Sequence, residues 1–176
     1  MFIYREIRLR ILTATTPELN YKNNGLSGDG IIGLLLKGNT DISNYTKKIT
    51  VGDTVDKNAA ISGDKAKYAI GVYADGQGTS AATPYEIKAD ITTGKNGVGI
   101  FADEDSHIKY SGNMKTGDGT TAGTGIFITK KKGATGGSVT LTSNTIELLG
   151  TGGVAVIASE GTTINGGNAI IKLIGN

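Results

Sequence analysis

The sequence predicts an all-β protein, a right-handed parallel β-helix (β-solenoid) of about five turns, and three observations predict it. A five-residue phrase recurs as Ile32-Gly33-Leu34-Leu35-Leu36, Ile70-Gly71-Val72-Tyr73-Ala74, Val98-Gly99-Ile100-Phe101-Ala102, Thr124-Gly125-Ile126-Phe127-Ile128 and Val154-Ala155-Val156-Ile157-Ala158. A second phrase follows each copy in the same order: Ile49-Thr50-Val51-Gly52, Ile91-Thr92-Thr93-Gly94, Met114-Lys115-Thr116-Gly117, Ile146 to Gly150 and Ile171 to Gly175. Thirdly, 28 of 176 residues are glycine and two are proline, tryptophan is absent, and no leucine-rich amphipathic helical window occurs, a balance that suits short strands joined by tight turns. A repeated unit cannot bury its apolar face alone, so neighbouring copies must cover one another in a stack. A β-sandwich also needs many short strands, yet it gives no reason for two phrases to alternate in fixed order.

Taken in order, residues 1–29 form an N-terminal strand and a Gly/Asn-rich linker, and residues 30–176 form the repeats. Met1 to Leu12 alternates charge with apolar residues and reads as one or two strands. Thr13 to Gly30, with Pro17, three asparagines and three glycines, reads as loop. From Ile31 each repeat holds three strands: the first phrase, a middle strand, and the strand ending in the second glycine. Middle strands fall at Tyr85 to Ala89, His107 to Ser111, Ser138 to Thr142 and Thr162 to Asn165, and less distinctly near Asp41 to Thr46. The phrases return after 38, 28, 26 and 30 residues, so a constant core carries loops of variable length. With turns about 4.8 Å apart, five make a rod of roughly 24 Å.

Side chains alternate along a strand, which places the first, third and fifth residues of the first phrase inward. The fourth residues, Leu35, Tyr73, Phe101, Phe127 and Ile157, then form an outward apolar ladder beside a column of glycine, a candidate binding surface. The same ladder admits a structural reading, in which the aromatic rings belong to the core in a flipped register or lie beneath a loop. Glycine within a strand marks a bend or the close approach of another backbone.

Composition excludes several chemistries. Eighteen Lys and Arg against 16 Asp and Glu offer nucleic acid no general attraction. Without cysteine there is no disulfide, thiol nucleophile or thiolate metal site. No apolar run approaches the roughly 20 residues that span a bilayer, so no membrane insertion by this segment is expected. Asp103-Glu104-Asp105 has the oxygen ligands calcium takes, and equally the makings of a solvated corner; Lys130-Lys131-Lys132 lies one turn later, where it can neutralise those acids. His107 is the single histidine, and no arginine follows Arg10. Asp90, Glu147 and Glu160 fall on different turns or at strand ends and make no acid pair of the kind glycoside hydrolysis uses. No catalytic residue, metal or cofactor is assigned. Gly117-Asp118-Gly119 and Gly150 to Gly153 lack the Lys-Ser/Thr pair of a phosphate loop, and no tandem calcium nonapeptide is present.

The phrases Asn96 to Ala102, Gly123 to Ile128 and Gly152 to Ala158, separated by Thr/Asn/Gly-rich strands, resemble the passenger repeats of large autotransporter (type V secreted) proteins of Gram-negative bacteria. The likeness covers Gly30 to Asn176. It implies a right-handed parallel β-helix displayed on the cell surface as an adhesin or as the stalk beneath one, with a host or bacterial surface protein or glycan as partner. The sequence departs from the full pattern in having no signal peptide, no C-terminal β-barrel and no polar cap after Leu173-Ile174-Gly175-Asn176, which a segment of a longer outer-membrane-anchored passenger explains. The expected role is therefore non-enzymatic, with end-to-end self-association through the uncapped turn. The alternative is a carbohydrate-active β-helix enzyme, a polysaccharide lyase or hydrolase.

Overall fold

A computed structural model describes residues 18–21, 31–38, 42–54, 68–131 and 133–175. Among them are fifteen strands and no helix. The strands are β1 (Leu19–Tyr21), β2 (Ile32–Lys37), β3 (Ile49–Val51), β4 (Ile70–Asp75), β5 (Tyr85–Ile87), β6 (Ile91–Thr93), β7 (Val98–Asp103), β8 (His107–Tyr110), β9 (Met114–Thr121), β10 (Thr124–Ile128), β11 (Ser138–Leu141), β12 (Thr145–Thr151), β13 (Val154–Ala158), β14 (Thr163–Asn165) and β15 (Ile170–Ile174). They form three sheets: sheet I in the order β1-β3-β6-β9-β12-β15, sheet II β13-β10-β7-β4-β2, and sheet III β14-β11-β8-β5. Every strand pairs in parallel with its counterpart one coil away, so the chain winds through sheets II, III and I in turn as a parallel β-solenoid of five coils.

Register follows the phrases residue for residue. In sheet II, Ile70 aligns with Ile32 and Val98, and Thr124 with Val98 and Val154. In sheet I, Ile91 aligns with Ile49 and Met114, and Ile146 with Met114 and Ile171. The expected middle strands from Tyr85, His107, Ser138 and Thr162 are β5, β8, β11 and β14. Among the described residues of the first coil there is none: Tyr45 N–H donates to Ile42 O (2.8 Å) in a turn, and both side chains still fill the core. In the stretch read as loop, β1 adds a strand to sheet I with Leu19 over Ile49 and Tyr21 over Val51. The strands expected in Met1 to Leu12 lie outside the described residues.

The interior is a continuous aliphatic column that includes Leu36, Ile49, Val72, Ile91, Ile100, Met114, Ile126, Ile146 and Leu148. Third and fifth residues of the first phrase point into it, as alternation requires. The first residues do not: Ile70 and Val98 join a separate cluster with Tyr68, Tyr73 and Phe101 on the outer side of sheet II. The alternation breaks at the second position, which is glycine in four of the five copies and alanine in the fifth. A Cβ on Gly33 would lie 2.8 Å from Ile49 Cγ2 and 2.7 Å from Gly71 O, and one on Gly71 would strike Ile91 Cγ2 and the carbonyl of Gly99. The second position thus faces inward against sheet I, the third does too, and the broken alternation turns the first residue outward.

Candidate functional site

The outer face of sheet II carries two parallel columns. One is the fourth-residue ladder Leu35, Tyr73, Phe101, Phe127 and Ile157, in register throughout. The other is formed by the first residues Ile32, Ile70, Val98, Thr124 and Val154. Tyr73 and Phe101 stack with centroids 5.4 Å apart, and Phe101 and Phe127 at 4.8 Å, with ring planes 21° and 16° from parallel. Such parallel stacking is what one ring per coil at β spacing imposes.

The ladder is not open along its length. Tyr68, just before β4, lies 6.2 Å from Phe101 and 6.4 Å from Phe127 by ring centroid. Tyr73 is only 7% exposed and Phe101 2%, whereas Phe127 and Ile157 are half-buried and Leu35 is 44% exposed. Tyr68 is held in place by its neighbour Ala69, whose N–H donates to Thr54 Oγ1 (2.8 Å) across the neck of the segment between β3 and β4. Of the five candidate residues, then, the structure brings all into one column but leaves only its ends accessible to a partner.

Beside the ladder runs a polar row. Tyr73 Oη donates to Asp103 Oδ2 (2.5 Å), and Thr129 Oγ1 and Glu104 N–H donate to Asp103 Oδ1. One coil back, Asp75 aligns with Asp103 and pairs with Lys37 at 3.1 Å. Asp103 is largely buried, and these donors supply the partners a carboxylate needs there.

The corner after β7 engages its acids with protein donors. Glu104 pairs with Lys131 Nζ at 3.1 Å and Asp105 Oδ1 accepts Lys131 N–H at 3.1 Å, so the charge ladder between these two corners exists; Lys132 lies outside the described residues. Glu104 and Asp105 both have left-handed φ values, and buried Ser106 closes the corner with its hydroxyl donating to Asp103 O (2.6 Å) and Ala74 O at 3.1 Å as the alternative acceptor. Among the described residues no group of three His, Cys, Asp or Glu is arranged to hold a metal ion.

Other titratable side chains form short ladders on the remaining faces. Glu147 pairs with Lys115 (2.9 Å) and Lys172 (3.5 Å) across three coils of sheet I, and the hydrogen bond from Lys115 holds its carboxyl below the usual range. In sheet III Glu86 pairs with Lys109 and Lys88; burial raises its pKa, and the two ammonium groups together outweigh that and lower it. His107 opens β8, half-buried, with Nδ1 2.9 Å from Ser138 Oγ in the next coil. Asp90 caps the next coil by accepting Asn113 N–H (2.7 Å). A shallow depression of about 300 Å³ lies along the ends of β3 and β6, lined by Thr50, Gly52, Asp53, Thr93, Gly94 and Gly117 among others. Asp53 there is engaged by Lys95 through both its N–H and its ammonium group.

Sequence reasoning missed Tyr68 and the Tyr73–Asp103 bond. Tyr68 belongs to no repeat, so periodicity carried no signal for it. The bond was findable: Tyr73 and Asp103 sit on the same outer face one coil apart, in positions four and six of aligned phrases. No family model, curated protein or solved structure matches this chain.

Proposed function

We propose that the chain is a non-enzymatic β-solenoid segment of an autotransporter-like passenger, acting as a stalk that carries or forms a binding surface outside the cell. The single observation that carries this reading is the coil-on-coil pairing of three parallel sheets, which builds one axis and repeats the same ladders along it. The likeness of Asn96 to Ala102, Gly123 to Ile128 and Gly152 to Ala158 to passenger repeats supplies the cell-surface setting. The partner surface is the accessible part of the outer ladder, at Leu35 and at Phe127 with Ile157. At β13 to β15 the apolar residues Val154, Ile171 and Leu173 are exposed, Leu173 by 75%, and a further β coil from more chain or from a second copy would cover them.

Purified chain screened against glycans and against host and bacterial cells, beside a Leu35→Ser/Ile157→Ser variant of unchanged circular dichroism, tests the reading. Binding that the variant loses identifies an adhesive face, and binding by neither leaves a stalk. Release of unsaturated or reducing sugar ends from polysaccharides would overturn it in favour of the lyase or hydrolase alternative.

A further inference from the structure

The described residues contain four Asx-Gly bonds: Asp75-Gly76, Asn96-Gly97, Asp118-Gly119 and Asn165-Gly166. Such bonds are the chain's intrinsic weak points, because glycine lets its backbone nitrogen reach the preceding side-chain carbonyl carbon without a Cβ in the way. The structure treats the four differently. Gly76 N–H is held by Asp103 O (3.3 Å), and Asp75 is tied to Lys37. Gly97 N–H is held by Gly94 O (3.2 Å), and Gly97 is buried. Asp118 accepts Thr121 N–H, Thr120 Oγ1 and Thr120 N–H, which keep it ionised down to about 2, and a carboxylate is a poor electrophile.

Asn165-Gly166 has the opposite setting. Asn165, Gly166 and Gly167 are all exposed, and a Cβ on Gly166 would meet no atom within 4 Å. Gly167 N–H donates to Asn165 Oδ1 (3.2 Å), drawing electron density from the side-chain carbonyl that would be attacked. We infer that Asn165-Gly166 is a site of spontaneous deamidation and backbone isomerisation in the folded protein. The Gly166 nitrogen, after losing its proton to solvent base, forms a bond to Asn165 Cγ. The Cγ–Nδ2 bond then breaks and ammonia leaves with a proton taken from water. Water opens the resulting succinimide at one of its two carbonyls, giving aspartate if it attacks Cγ and isoaspartate if it attacks the main-chain carbon. The isoaspartate lengthens the main chain by one methylene at the end of β14 and adds a negative charge to the outer side of sheet III.

The test is peptide mapping by mass spectrometry after ageing the folded chain at mildly alkaline pH, scoring replacement of the side-chain NH2 by OH and the later or earlier elution of isoaspartyl peptides. Asn165 is expected to convert about tenfold faster than Asn96, the factor that opening one hydrogen bond at Gly97 imposes. In urea the two sites are expected to react at similar rates, which separates protection by the fold from local sequence. Asn165→Gln, whose ring closure is disfavoured, is expected to abolish the product without altering circular dichroism. Folded-state rates at Asn165 equal to or below those at Asn96 would overturn the assignment.

Discussion

At the scale of single residues, the glycine column is the tightest constraint in the structure. Gly71 sits where a methyl group would meet both the backbone of Gly99 and the Ile91 side chain. Gly71→Ala is therefore expected to lower stability by about 1–3 kcal/mol in urea denaturation, the usual cost of overfilling a packed interior. The ring of Tyr73 and its hydroxyl do separate jobs. Tyr73→Phe keeps the stack on Phe101 but removes one donor to the buried Asp103 carboxylate, with an expected loss of about 1.5–3 kcal/mol by the same measurement. Asn144 predicts the reverse sign. It is 2% exposed and neither polar atom of its side chain meets a protein partner, while its counterpart one coil later is Ala169. Asn144→Ala is expected to stabilise the protein by about 1 kcal/mol, visible as a higher midpoint.

At the scale of strands and coils, the fold was legible because each coil repeats the same demand. Ile70, Val98 and Thr124 occupy one site in successive coils, so three weak local signals reinforce one another. Where the demand was met differently, the sequence misled. Ile42 and Tyr45 fill the interior from a turn, so the stretch that reads least distinctly as a strand has none among its described residues, yet still supplies core side chains. Ile70 and Val98 face outward because the second and third positions of the phrase both face the interior, a local break in the strand that a period of two does not foresee. The candidate site was half legible for the same reason: the ladder is periodic, but its cover, Tyr68, is not. The ion-pair ladders belong to this scale too. Glu86 titrates below its ordinary value of 4.5 when folded, so the stability it contributes is present above that value and is lost as pH falls through the folded pKa. Thermal midpoints are expected to decline on acidification through this range, and less steeply in Glu86→Gln. Because the pairs are at the surface, added salt should shrink the difference.

At the scale of the whole molecule, the coils form a one-dimensional array in which each touches mainly its neighbours. Among the described residues, apolar exposure is concentrated at β13 to β15, where Ile170, Ile171, Leu173 and Ile174 lie open alongside sheet edges. Light scattering at rising concentration is expected to show association, and Leu173→Lys to reduce it with no loss of β signal; a chain that stays monomeric at high concentration would remove the end-on contact from the proposed function.

Strands that run around an axis put the hydrogen bonds between coils along that axis. A load applied lengthwise therefore meets those bonds one coil at a time, as in opening a zipper, and never sets all three sheets in shear together. Stretched end to end, such a rod should yield in a series of small steps, each releasing one coil and differing in length as the loops do, with the better-covered coils around Phe101 giving way last. Its resistance would then depend on the weakest coil exposed at a given moment, and lengthening the stack would add reach without adding strength.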